Sequence, residues 1–120
     1  MAAITITTNE IGQLAAVFTI HSARAQSLAH VAARKALLDI EAGAKARAPV
    51  DTGFLRNSIR ATQYVTAIGG EVVAGANYAH FVEYGTSRMA PKPYMGPAVD
   101  AVLPSFEQAI ERIAAMDGLL

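Results

Sequence analysis

Two stretches of the chain alternate apolar and polar positions in the way that strands do. Residues 4–8 alternate isoleucine with threonine, which predicts a short strand. Residues 62–68 repeat this period with β-branched and aromatic side chains, and residues 71–76 follow after Gly69 and Gly70. Because a glycine pair between two such runs is typical of a tight turn, an antiparallel hairpin is predicted over residues 62–76.

A helix is predicted to start soon after the first strand. Thr7 and Glu10 have the spacing of a capping box, in which each side chain satisfies a backbone amide at a helix start. That spacing places the start near Asn9. Residues 17–20 include three β-branched side chains, which are unfavourable inside a helix, so a break is expected around residues 19–22.

Two longer stretches carry helical patterns. Residues 22–48 are rich in alanine and contain no proline, and Pro49 then disfavours further helix. Pro97 suits the first turn of a final amphipathic helix, in which Pro104 would cause a kink or a restart. The prediction is therefore an α+β fold with a long N-terminal helix, a small antiparallel sheet and a C-terminal amphipathic helix.

The long helix has a narrow polar strip between two apolar flanks. The strip, which should face water, comprises Ser27, His30, Arg34, Glu41 and Lys45. One sheet and one helix can cover only one flank fully, so the other is expected to meet a second subunit. The candidate interface residues on the two flanks are Leu28, Val31, Leu37, Leu38 and Ile40.

Composition narrows the possible functions. The 120 residues fit one domain, 1–120, and 52% of them are hydrophobic against 17% charged, which excludes a disordered chain. The formal net charge is zero, so no global field favours nucleic acid or an acidic membrane. No cysteine is present. The longest apolar run, residues 14–20, is too short for a membrane span, so a protein made in the cytoplasm is expected.

Candidate chemistry is sparse. His80 and Glu83 have the i,i+3 spacing of a metal-ligand pair, but no second pair accompanies them, and an exposed packing turn is the preferred interpretation. No nucleophile motif or phosphate-binding loop is present. We therefore expect no catalytic, cofactor-binding or metal-binding residues.

Basic residues are concentrated between residues 24 and 60. A nucleic-acid-binding module using this segment is one hypothesis. A solvated strip, with ion pairs between subunits to the acidic C-terminal helix, is favoured over it, because isolated charge runs usually face water and no aromatic residues interleave with the cations. The cations are Arg24, Arg34, Lys35, Lys45, Arg47, Arg56 and Arg60.

Three sequence blocks are more specific than any of these patterns. They are ARAPVDTGFLRNSI at residues 46–59, NYAHFVEYGT at residues 77–86 and PYMGPA at residues 93–98. Together they resemble the neck and tail-completion family of long-tailed bacteriophages, and the resemblance extends over about residues 22–115. The motif residues it singles out are Pro49, Asp51, Thr52, Gly53, Leu55, Arg56, Ser58, Tyr78, Glu83, Tyr84, Gly85, Thr86, Pro93 and Pro97.

The resemblance implies a structural virion protein in the head-tail connector region, with no enzymatic activity and no cofactor. It implies a homo-oligomeric ring, a hexamer as the first expectation, between head-closure or connector proteins and tail-terminator or tail-tube proteins. A passing contact with genomic DNA is also implied, and no membrane contact. A tail terminator is the nearest variant of this function.

Two segments within the blocks have predicted roles of their own. Asp51 or Thr52, followed by Gly53, is expected to cap a short helical segment. The loop 86–94 has two prolines and no periodicity, and it is expected to contact a neighbouring subunit or ring. Its candidate contact residues are Arg88, Met89 and Lys92.

Overall fold

A computed structural model describes residues 3–8, 14–19, 23–49, 53–65 and 68–116. Its elements confirm the α+β prediction, with a long helix before the hairpin and a second long helix after it. In chain order they are β1 (Ala3–Thr8), β2 (Leu14–Thr19), α1 (Ala23–Arg47), α2 (Phe54–Ser58), β3 (Ile59–Gln63), β4 (Ile68–Ala74), α3 (Ala79–Tyr84) and α4 (Met95–Met116).

The four strands form one antiparallel sheet in the order β1-β2-β4-β3. The register pairs Thr5 with Val17, Ala16 with Gly70, and Ala61 with Val72. Helix α1 packs on β3 and β4, and α4 packs against α1. The covered part of the sheet is thus the β3–β4 hairpin.

The predicted helix start near Asn9 is wrong for the part that the structure describes. Leu14–Thr19 forms β2, which pairs with β1 on one side and β4 on the other. Val17 and Thr19, predicted to be part of a helix break, instead belong to a strand, since β-branched side chains suit a pleated surface. Glu10 and the expected cap Ser22 lie outside the described residues.

The hairpin is confirmed, but its turn is not at Gly69 and Gly70. Both glycines lie inside β4, and the connection precedes Ile68. A Cβ on Gly70 would overlap Leu37 of α1 and the Thr62 carbonyl of β3. Gly70 therefore lets α1 approach the sheet closely, and the sequence pattern alone does not distinguish this role from that of a turn glycine.

Two groups of buried side chains hold the layers together. The larger core joins α1, the β3–β4 hairpin and the start of α4, and contains Leu37, Ile40, Ala44, Ala48, Leu55, Ile59, Val72, Ala74, Ala76, Ala79, Tyr94, Met95, Ala98 and Val99. The smaller core joins the N-terminal half of α1 to the later turns of α4, and contains Ala25, Ala29, Ala33, Ile68, Phe106, Ile110 and Ile113.

Helix α4 differs from its prediction in one respect. It begins at Met95, two residues before Pro97, and continues past Pro104 to Met116 without a restart. Its predicted apolar face is confirmed, since Phe106 and Ile110 are buried. Pro104 lies on the exposed side.

Candidate assembly surfaces

The three sequence blocks meet at one end of the larger core. Leu55 of the first block and Ile59 at its end are buried there together with Tyr94 and Met95 of the third. Gly53 is the N-cap residue of α2, and its φ of +79° lies in the left-handed region that favours glycine. Asp51 and Thr52 lie outside the described residues, so side-chain capping by them stays a prediction.

Glu83 connects the second block to the third. Its carboxylate accepts backbone N–H bonds from Tyr94 and Met95 at Oε1, 3.0 and 2.8 Å away, and from Gly96 at Oε2, 3.2 Å away. Only 8% of Glu83 is exposed. A buried carboxylate at the first amides of α4 is favourable, because these groups have no partner within the helix.

This role replaces both sequence interpretations of Glu83. The residue is neither half of a metal pair with His80 nor part of an exposed turn, because both of its oxygens accept backbone amides. The available signal was its i,i+4 spacing from the apolar Ala79, which shares its face of α3 and is buried, so a carboxylate there needs a partner. Sequence reasoning could not identify that partner more than ten residues away.

Tyr94 supplies a second bond at this junction. Its ring is fully buried, and its hydroxyl donates to the Ala79 carbonyl over 3.0 Å. Burial, with the nearby Glu83 carboxylate, raises the pKa of the Tyr94 phenol to about 12. The neutral hydroxyl is therefore the form that holds α3 to the start of α4.

The loop between α3 and α4 is held at its base and exposed along its length. Gly85 ends α3 with a φ of +78°, and a Cβ there would meet Pro91. The Thr86 hydroxyl accepts the Arg88 and Met89 amides, and the Lys92 amide donates to the Val82 carbonyl over 2.8 Å. The irregular loop predicted from its prolines is confirmed.

Large apolar side chains remain exposed beside this loop. The rings of Phe54 and Tyr78 lie 6.2 Å apart between centroids, and Phe81 and Tyr84 follow Tyr78 along α3. We call the aromatic surface the group whose members are between 37% and 59% exposed, namely Phe54, Tyr78, Phe81, Tyr84 and Met89. Several large exposed apolar side chains on neighbouring elements indicate a candidate site of protein contact.

Comparison with known families agrees with this architecture. The family described as "Bacteriophage HK97-gp10, putative tail-component" matches residues 13–85, more than half of the chain. The chain belongs to this HK97-gp10-like family. No curated protein and no solved structure matches it. The protein is thus a structural component of the phage tail, found in the virion in contact with other virion proteins.

A second exposed surface of this tail component lies on α1. Val31 is 69% exposed, and Leu28 and Leu38 share its face; we call these three residues the α1 flank. Leu37 and Ile40, predicted as interface residues, are instead buried in the larger core. The sheet covers their side of α1, which narrows the candidate interface on this helix to the α1 flank.

The basic residues of the HK97-gp10-like protein are not all solvated. Lys35 pairs with Asp39 over 2.7 Å, and Lys45 pairs with Glu41 over 3.4 Å. Glu41 also accepts the Ala61 amide of β3 and is partly buried, so the predicted wet strip is wrong at that position. Arg24, Arg34 and Arg56 stay exposed.

Across residues 3–8, 14–19, 23–49, 53–65 and 68–116, no three His, Asp or Glu side chains are arranged to hold a metal ion. None of the helices in these ranges combines the length and the apolar character required to cross a membrane.

Proposed function

We propose that this tail component is a subunit of the neck or tail-completion ring that joins the tail to the DNA-filled head. The observation that carries the proposal is the pair of separate exposed apolar surfaces, one on α1 and one on α2 and α3. A closed ring with more than two copies uses two different, complementary surfaces on each subunit. A stacked ring needs further surface for the proteins above and below it.

The ring is expected to be a hexamer, with head-closure or connector proteins on one side and tail-terminator or tail-tube proteins on the other. The loop 86–94 suits such a contact, because its base is tied to α3 while its side chains are exposed. A tail-terminator position is the nearest variant. In either position the chain acts by binding, and its fold needs no catalytic group.

Imaging of assembled particles tests the proposal. A density for this chain arranged as a ring between head and tail tube is the expected result, and its location elsewhere in the tail would refute the neck assignment. Strong, salt-dependent DNA binding by the isolated protein, without rings, would instead favour the nucleic-acid-binding module. Against that alternative, Lys35 and Lys45 already form ion pairs within the chain.

The α1 flank gives a matched pair of variants. Leu28→Lys with Val31→Lys places charge on an exposed surface, so the chain should fold and fail to form rings. Leu37→Lys places charge in the larger core and should prevent folding. Circular dichroism and sedimentation separate the two outcomes, and normal rings from the first variant would remove the α1 flank from the interface.

Deleting residues 87–90 tests the loop independently. These residues are exposed, and their hydrogen bonds are those of the Thr86 turn. The shortened protein should remain folded, while head-tail joining should fail. Normal infectious particles would contradict a contact role for the loop.

A further inference from the structure

Three cations lie close along the chain to members of the aromatic surface. Arg56 follows Phe54 on α2, Arg88 precedes Met89 in the loop, and the Lys92 backbone is bonded to α3. All three cations are exposed. An apolar centre with a charged rim is the usual anatomy of a protein interface.

The outer face of α4 has the opposite charge around its own apolar centre. Asp100, Pro104, Glu107 and Glu111 recur at spacings of four, three and four residues, so they form one stripe, and all four are exposed. We call this stripe the α4 outer face. Pro104 lies between acidic residues along it and presents an apolar ring to solvent.

Pro104 does not stabilise the isolated chain. A proline inside a helix costs stability and leaves position 104 without the amide that would bond the Asp100 carbonyl. That carbonyl adds a backbone acceptor beside the Asp100 carboxylate. An arginine of a neighbouring copy can donate to the Asp100 carbonyl and to the Asp100 carboxylate.

The charges of the two surfaces are unpaired within the described part of the chain. Neither of its two ion pairs uses the three cations or the three acidic side chains of the stripe. They cannot all meet within one copy, because Glu107 lies roughly 18 Å along α4 from Met95 at about 1.5 Å per residue. Lys92 is held beside α3, before the start of that helix.

The α1 flank is a poorer match for the aromatic surface. Its exposed neighbours Arg24 and Arg34 are cations, so its rim has the same sign as that of the aromatic surface. Like charges across an interface disfavour the pairing. The acidic side chains of the α4 outer face have the opposite sign to the cations beside the aromatic surface, so the α4 outer face is the better partner for it.

We propose that the aromatic surface of one copy binds the α4 outer face of the next copy, with Arg56, Arg88 and Lys92 against Asp100, Glu107 and Glu111. This contact is head-to-tail, so it uses different surfaces on the two copies and can be repeated around a ring. The inference rests on the proposed ring and specifies one of its contacts. The α1 flank is then a further contact of the same ring.

Zero-length cross-linking with a carbodiimide tests the contact in assembled particles. The reagent joins a lysine amine to a carboxylate only where the two touch. We expect a covalent dimer of this chain on a denaturing gel, in which Lys92 is joined to Asp100, Glu107 or Glu111. A dimer joined through other residues, or no dimer, would overturn the inference.

A charge swap then tests the paired residues. Lys92→Glu should lower the yield of rings about tenfold, and replacing the acid found joined to Lys92 by lysine should restore assembly in the same chain. Lys92→Glu with Thr62→Lys and Val65→Lys has the same net charge, and its two added cations lie at exposed positions outside all the named surfaces, so it should not restore assembly. Equal recovery in the rescue variant and in this control would refute a specific contact.

The outcomes separate this inference from the proposed function. Rings that persist in the Lys92→Glu variant would reject the contact and leave the ring intact. Particles in which this chain forms no ring would reject the proposed function itself. A ring cross-linked through Lys92 to the α4 outer face supports both.

Discussion

The two cores of this protein are closed by different means. The larger core contains Tyr94 and Met95, and the buried Glu83 carboxylate bonds the backbone beside it. The smaller core places alanines of α1 against Phe106 and other large side chains of α4, and contains no polar side chain. One end of the molecule thus combines packing with buried hydrogen bonds, whereas the other relies on close helix packing.

The two ends differ because one joins two regular helices and the other joins a loop to the start of a helix. Alanines on one helix let a second helix approach closely, and two regular helices satisfy their own backbone. The end with the larger core has to fix an irregular loop and a helix start, whose amides need partners elsewhere. Glu83 and Tyr94 supply those bonds, and the exposed loop and aromatic surface are positioned by them.

The largest effect is expected in the smaller core. Phe106→Ala removes the main large side chain facing the alanines of α1, and these cannot move to fill the space. We expect a loss of about 4 kcal/mol in the free energy of unfolding, measured by urea titration. Met116→Ala, at a residue that is 61% exposed, is the control and should change little. Equal losses in the two variants would contradict the assignment of this core.

The next effect tests the polar junction. Glu83→Ala leaves the amides of Tyr94, Met95 and Gly96 without their acceptor. We expect a loss of about 3 kcal/mol, and a smaller one for Glu83→Gln, which keeps one acceptor oxygen. Glu107→Ala, at an exposed position, should cost less than about 0.5 kcal/mol. An unchanged stability in Glu83→Ala would mean that packing alone closes both cores.

A pH effect sharpens the same comparison. The pKa of Tyr94 is raised from 10.0 to about 12 in the folded chain, so its stabilising contribution is complete below pH 10 and is lost as the pH rises toward 12. Between pH 9 and pH 11 the loss should be about 1.4 kcal/mol. Tyr94→Phe has no phenol to titrate and should not show this loss of stability at high pH. Identical dependence of stability on pH in the wild type and in Tyr94→Phe would contradict the role of the Tyr94 hydroxyl.

The smallest effect is expected from the exposed Lys35–Asp39 pair between the cores. Both side chains are largely in water, at 75% and 48% exposure, so Lys35→Ala should cost less than about 0.5 kcal/mol. Urea titration should show this small difference shrinking from low to high salt, because salt screens exposed charges. A loss above about 1 kcal/mol would indicate that this pair contributes to helix packing.

Much of the fold was predictable because its signals are local. The alanine-rich, proline-free stretch predicted α1 to within a residue at each end, and the alternating runs predicted the hairpin. Strand β2 was missed because Leu14–Thr19 depends on pairing with β4, more than fifty residues later. Such pairing overrides a local cap signal.

The candidate site was predictable only in outline. The motif blocks identified the segments that meet around Glu83, but no spacing rule connects that carboxylate to amides at residues 94–96. Which apolar residues of α1 are exposed depends on the packing of the sheet, which the sequence does not show. Leu37 and Leu38 are adjacent and equally apolar, yet only Leu38 is exposed, because the sheet lies on one side of α1.

The unpaired edge of β3 is covered by side-chain hydrogen bonds between β3 and α1. An unpaired strand edge is a template on which another chain can add its own strand. In this protein Glu41 accepts the outward Ala61 amide, and the Gln63 side chain donates to the His30 carbonyl over 2.9 Å, so α1 fastens that edge. Many identical copies crowded at a single site of virus assembly are therefore kept from stacking through β3. Any assembly defect in a Glu41→Ala variant should then take the form of sheet-rich aggregates.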